Sequence, residues 1–166
     1  MEVSMDKRII EALNEQINFE LYSAYLYLGL SLVMEEQNYK GYAAWLSDHH
    51  EEELSHAKAF IDFMHKRGVK PTLHQIEIVD AKQTEPLQVA KAVLEHEQKV
   101  SQRIYKIHDL AKQADDYATE IFMHQFIAEQ TEEEDITREI VDQFTLAHDN
   151  ISARMIIDRE LGCKEK

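Results

Sequence analysis

An all-α four-helix bundle, with one long crossover between its second and third helices and a short fifth helix at the C-terminus, is the fold class this sequence predicts. Three observations carry the expectation. Only four Gly and two Pro are spread over 166 residues, whereas Glu, Lys, Gln, Ala, Leu and Met, all good helix formers, are abundant. Apolar residues recur at helical spacing in four long runs. Between the second and third runs lies one stretch without period that is long enough to cross a bundle.

The first helix, α1, is expected over about residues 6–35, where Ile10, Leu13, Ile17, Ala24 and Tyr27 succeed one another at steps of three and four once the seat between Ile17 and Ala24 is given to Glu20. In α2, expected over about 39–67, Tyr42, Leu46, Phe60 and Phe63 lie on a stripe that passes through His49, Glu53 and His56, and Gly68 is a natural stop. From Gly68 to Thr84 no period holds and Pro71 intervenes; Thr84 is placed to cap the next helix, with Pro86 in its first turn. In α3, about 85–114, Ala90, Val93, Val100, Ile104, Ile107 and Ala111 make the stripe, and Glu97 takes the seat between Val93 and Val100. Asp115 and Asp116 are placed to cap α4, about 117–147, whose stripe of Phe122, Phe126, Ile136 and Ile140 runs through Glu129 and Glu133. The segment ISARMIIDREL, about 151–161, closes the chain as amphipathic α5. Helices of roughly 30 residues are about 45 Å long, and roughly 17 extended residues reach about 55 Å. Short connections therefore make α1–α2 and α3–α4 antiparallel hairpins, and the crossover makes α2 and α3 parallel. Residues 1–166 read as a single domain.

Composition narrows the function. Eighteen Lys and Arg against 32 Asp and Glu give a formal net charge of -14, which repels phosphate backbones and attracts cations, so nucleic acid is not an expected partner. The single cysteine, Cys163, has no partner within the chain, which fits a reducing compartment. No apolar run has the length of a membrane span, and the first residues lack the pattern of a signal peptide. A soluble cytoplasmic protein without a membrane partner is the resulting expectation.

The acids in the core stripes are the informative feature. A carboxylate in a bundle core costs several kcal/mol of desolvation unless it is paired, protonated or bound to a metal. Glu20, Glu53, Glu97 and the Glu129–Glu133 pair lie near the midpoints of their helices, and midpoints meet in space whether neighbours run parallel or antiparallel. So many converging carboxylates repel one another unless a multivalent cation neutralises them, and oxygen donors with an imidazole suit iron or manganese. Glu53-Leu54-Ser55-His56 sets an oxygen and a nitrogen donor on one helix face, the Glu-x-x-His arrangement of di-iron carboxylate bundles. Tyr27, seven residues after Glu20 on the same stripe, is placed beside such a site. His49 also falls on its stripe, one turn before Glu53, while His65, His74, His96, His108, His124 and His148 share no common helix face.

Four strings, NEQINFELYSAYLY in α1, HHEEELSHA in α2, LEHEQ in α3 and AEQTEEE in α4, resemble the non-haem bacterial ferritins over nearly the full length. The resemblance implies that Glu20, Glu53 and His56 bind a first iron, that Glu53 bridges to a second held by Glu97 with Gln130 nearby, and that Tyr27 is the tyrosine beside this di-iron centre. It further implies a third iron site at Glu52, Glu129, Glu132 and Glu133. By the same resemblance the chain is a ferroxidase that oxidises Fe(II) with dioxygen or peroxide, stores the Fe(III) product as mineral, and self-associates into a hollow shell of about 24 subunits.

Relatives on the same bundle fit less well. Bacterioferritins, rubrerythrins and ribonucleotide reductase subunits carry a second Glu-x-x-His, but here Val100 stands at that spacing after Glu97, Glu132 after Glu129 and Ile136 after Glu133. Leu54 stands where bacterioferritins place a haem-ligating Met, so no haem is expected. Two competing functions separate by experiment. A di-iron oxygenase needs an organic substrate and its cavity, and a helical interaction module is indifferent to metal.

Overall fold

In the computed structural model, residues 5–79 and 81–163 are described, so both ends of the predicted 1–166 domain lie outside the described residues. Five helices succeed one another, α1 Lys7–Glu36, α2 Lys40–Lys66, α3 Pro86–Gln113, α4 Tyr117–Ala147 and α5 Ile151–Cys163, and no strand occurs among the described residues. Each boundary falls within two residues of the expected one.

Local chemistry sets the ends. Asp6 caps α1 by accepting from the Arg8 backbone N–H at 2.8 Å, and Asp116 caps α4 by accepting from that of Thr119 at 3.1 Å. Thr84 is not the cap expected for α3. That position is Glu85, which makes no side-chain capping bond, while Gln88 reaches back to accept from the Thr84 N–H at 3.1 Å. At its C-terminus α2 closes in a Schellman turn: Gly68, at φ 71°, donates to His65 O and Val69 donates to Met64 O. Asn38 and Asp115 occupy the same left-handed position after α1 and α3, a conformation that Asn and Asp tolerate better than most residues.

The hairpins α1–α2 and α3–α4 pack within themselves, α1 also touches α3, and α5 lies against α2 and α4. The crossover runs extended along α1, since Thr72 N–H donates to Asn14 Oδ1 at 2.8 Å and Asn18 Nδ2 donates to Gln75 O at 3.2 Å. Further along it, Val79 and Ala81 face Gly29.

Tertiary contact also finishes an end that the sequence leaves open. The N-terminus of α2 has no side-chain cap of its own, and Asp158 of α5 accepts from the Tyr42 N–H at 2.8 Å. Gly41 allows that approach, because a Cβ there would fall 1.8 Å from Asp158 O.

Apolar side chains form two cores. One, with Tyr27, Leu30, Tyr42, Leu46, Val93 and Phe144, lies toward α5. The other, with Ile9, Leu13, Phe60, Ile104, Met123 and Phe126, fills the opposite end. Each such side chain, fully buried, stabilises the fold by about 1.5–3 kcal/mol. Between the two cores in sequence, on all four long helices, sit Glu20, Glu53, Glu97 and Gln130.

Candidate metal centre

The four central polar side chains are buried. Glu20 and Glu97 are 1 % exposed, Glu53 and Gln130 5 %. On α4 the seat inside the bundle belongs to Gln130, not to an acid, and Glu129 and Glu133 flank it half-buried. That corrects the register expected for α4. Its buried stripe is Met123, Phe126, Gln130, Thr137, Ile140 and Phe144, two of which are polar and therefore invisible to an apolar period.

Glu20, Glu53 and His56 bring one donor atom each to within 4.8 Å of one another. His56 Nδ1 lies 3.3 Å from Glu53 Oε2 and 4.0 Å from Glu20 Oε2. Glu20 Oε1 accepts from Gln16 Nε2 at 2.7 Å, and Gln16 Oε1 accepts from Arg103 Nε at 3.1 Å, so a half-buried arginine lying over the Phe19 ring reaches Glu20 through one amide. Glu20 Oε2 is buried with no hydrogen-bond partner. A lone buried carboxylate oxygen costs on the order of 1–3 kcal/mol or more, and a cation between these three side chains removes that cost. The donor set therefore fits a hard or borderline metal ion.

Burial, reinforced by the Glu53 charge, pushes the Glu20 carboxyl well above the usual carboxylate range. Burial likewise pushes Glu53 up to about 8, with the neighbouring Glu20 carboxyl opposing the rise and the charges of Glu97, Glu52 and Glu133 adding to it. For His56 burial favours the neutral ring, but the hydrogen bond and charge of Glu129 and the charge of Glu20 outweigh it and raise the pKa.

The other half of the layer is built differently. Tyr27 donates a short hydrogen bond to Glu97 Oε1, and Gln130 Nε2 donates to Glu97 Oε2 at 2.9 Å. Ser101, one turn after Glu97, lies 3.3 Å from the same amide. Burial raises Glu97 to about 7, held back by the Tyr27 and Gln130 hydrogen bonds. Glu97 belongs to none of the three-donor groups found among the described residues.

A third region adjoins the first through His56, whose Nε2 lies 3.0 Å from Glu129 Oε1. Glu52, His56 and Glu129 form one donor group, and His49, Glu52 and Glu133 the next. His49 Nε2 lies 3.1 Å from Glu133 Oε2 while its Nδ1 lies 2.9 Å from Trp45 O, and its ring packs against Trp45 and Tyr27. Glu132 stands apart. It is exposed and joins none of these groups, because one residue is about 100° of helix rotation and carries it away from Glu133 toward solvent.

Gln16, Arg103, Ser101 and Trp45 were not legible as parts of the site. Gln16 and Ser101 each stand one turn from an acid on the same helix, a signal that could have found them. His96, one residue before Glu97, is buried, and burial pushes it down to about 4; it shares a 2.7 Å hydrogen bond with Ser23 Oγ rather than facing the donors.

The ferritin-like domain model matches residues 10–147. The bacterial non-heme ferritin of Bacteroides fragilis is 35 % identical over 158 residues, covering 95 % of this chain and 98 % of the relative. That of Staphylococcus aureus is 28 % identical over 160 residues, 96 % of each. Among solved structures, a novel open pore ferritin from the hyperthermophilic archaeon Archaeoglobus fulgidus superposes with a TM-score of 0.95 at 36 % identity, covering 99 % of this chain and 100 % of that one. A closed form of that archaeal ferritin, engineered by site-directed mutagenesis, gives 0.94 at 36 % identity, covering 98 % and 99 %.

Proposed function

Because the chain belongs to the ferritin family, we propose that it stores iron by oxidising Fe(II) at the carboxylate layer and depositing Fe(III) mineral inside a shell of its own copies. The observation that carries the oxidation step is the buried, partnerless Glu20 Oε2 facing Glu53 and His56. In this reading Fe(II) is the substrate, and Glu20, Glu53 and His56 hold the first ion. Glu53 and Glu97, with Gln130, hold the second. Glu52 and Glu129 with His56, and Glu133 with His49, offer a third position on the way out of the layer. Each Fe(II) gives an electron to dioxygen or peroxide. Anionic donors favour the Fe(III) product, because negative charge stabilises the higher oxidation state. The carboxyls that burial keeps protonated release their protons as iron binds. Tyr27 touches Glu97 and thereby orients the second position.

The deciding experiment is aerobic addition of Fe(II) with absorbance followed in the near ultraviolet. The parent is expected to form ferric product at least about a hundred times faster than Glu53→Ala, and equal rates would remove the assignment. Size-exclusion chromatography with light scattering and metal analysis tests storage. A species near 24 subunits carrying far more iron than two or three per chain is expected, whereas a monomer or dimer holding two irons would instead support an oxygenase.

A further inference from the structure

We propose that His108, Glu120 and His124 form a separate metal site on the α3–α4 hairpin that takes a borderline divalent ion of the zinc(II) class. The three side chains share no face of one helix, yet the fold brings one donor atom of each to within 4.8 Å of the others. Glu120 and His124 stand one turn apart on α4, so a single backbone fixes two donors, and His108 supplies the third from across the hairpin.

The spacing fits an ion better than a hydrogen bond. His108 Nε2 lies 3.8 Å from Glu120 Oε1, beyond hydrogen-bonding reach but close to the roughly 3.4 Å that separates donors around a tetrahedral ion with bonds of about 2.0–2.1 Å. The two imidazole rings are 5.4 Å apart and inclined by 36°, near enough for both to serve one ion. His108 and Glu120 are half-buried while His124 is exposed, which leaves coordination positions open to water. Two imidazoles and one carboxylate with an open position are a donor set used for zinc.

This site is independent of the buried layer. Glu120 precedes Glu129 by nine residues and His124 precedes Glu133 by nine, which is about 2.5 turns, or roughly 14 Å, and places the two pairs on opposite faces of α4. The donors differ as well. The buried layer is mainly carboxylate, whereas the hairpin site is mainly imidazole and favours zinc, copper or nickel over harder ions. One chain thus offers two classes of divalent ion two different places.

The test uses the assembled, metal-free protein titrated with Co(II), following its visible absorption together with equilibrium dialysis. Beyond the ions taken by the buried layer, the parent is expected to bind one further equivalent per chain that His124→Ala and His108→Ala lose or bind at least about tenfold more weakly, and that Glu53→Ala retains. Melting temperature checks that the variants fold, and His124, being exposed, is suited to that control. Parent-like binding by both histidine variants would overturn the proposal, as would loss of that equivalent in Glu53→Ala. Since the Glu53 variant tests the buried layer alone, failure of the oxidation reading leaves this result standing.

Discussion

Glu20 and Glu97 are equally buried, yet Glu20 keeps one oxygen without a partner while both oxygens of Glu97 accept hydrogen bonds, from Tyr27 and Gln130. The difference lies in the neighbours. Beside Glu20 the fold puts an imidazole and a second carboxylate, neither of which satisfies that oxygen; beside Glu97 it puts a phenol and an amide, which donate. A cation arriving at the first half displaces only protons. At the second half it competes with two hydrogen bonds already made, so identical side chains at identical depth are expected to differ in affinity.

The largest expected effect tests that asymmetry directly. In anaerobic Fe(II) titrations Glu20→Ala is expected to weaken the first ion by at least about a hundredfold and Gln130→Ala by less than about tenfold; equal losses would break the comparison.

Next comes pH. Glu53 and Glu97 stand at about 8 and about 7 in the fold, against 4.5 for an ordinary Glu. Between those values the native state holds protons that the unfolded chain has lost, so the metal-free protein loses stability as pH rises from about 5 to about 8. His56, also raised, acts in the same direction near neutrality. Asp116 is lowered from 3.8, so the stability it adds is lost only below that window. The melting temperature of the metal-free protein is therefore expected to fall across this range, and added divalent metal should restore more of it at about pH 7.5 than at about 5.5. A melting temperature that climbs across this range would show that the layer is already ionised.

A smaller effect sharpens the division between halves. Tyr27→Phe removes a donor from Glu97 alone and should cost the metal-free fold about 1 kcal/mol in urea unfolding while leaving first-ion affinity intact. If first-ion affinity fell as well, the halves would be one unit. Least of all is expected from Glu132→Ala, within about 0.5 kcal/mol in stability because it is exposed. A change of more than about twofold in oxidation rate would return Glu132 to the site.

Legibility in the sequence varies by helix. On α1, α2 and α3 an acid interrupts an otherwise apolar stripe at one seat, and Glu20, Glu53 and Glu97 could be read as buried for that reason. On α4 the buried seats at Gln130 and Thr137 are polar, so the apolar period slipped and gave the seat to the flanking acids. His108 and His124 escaped notice because they meet across a hairpin, and no single helical period records such a meeting.

By itself the sequence determined the features that depend on one helix at a time: the helices and their ends, the antiparallel hairpins, the depth of three carboxylates and the pairing of Glu53 with His56. Periodicity and capping are local, so they survive without knowledge of neighbours. Only the tertiary structure decided which oxygen of Glu20 stays unpartnered, that Tyr27 and Gln130 satisfy Glu97, that His56 faces donors on both sides, and that Asp158 caps α2. Those facts depend on distances of a few ångströms between residues far apart in the chain, where a rotation of one helix by a single residue exchanges a donor for an acceptor.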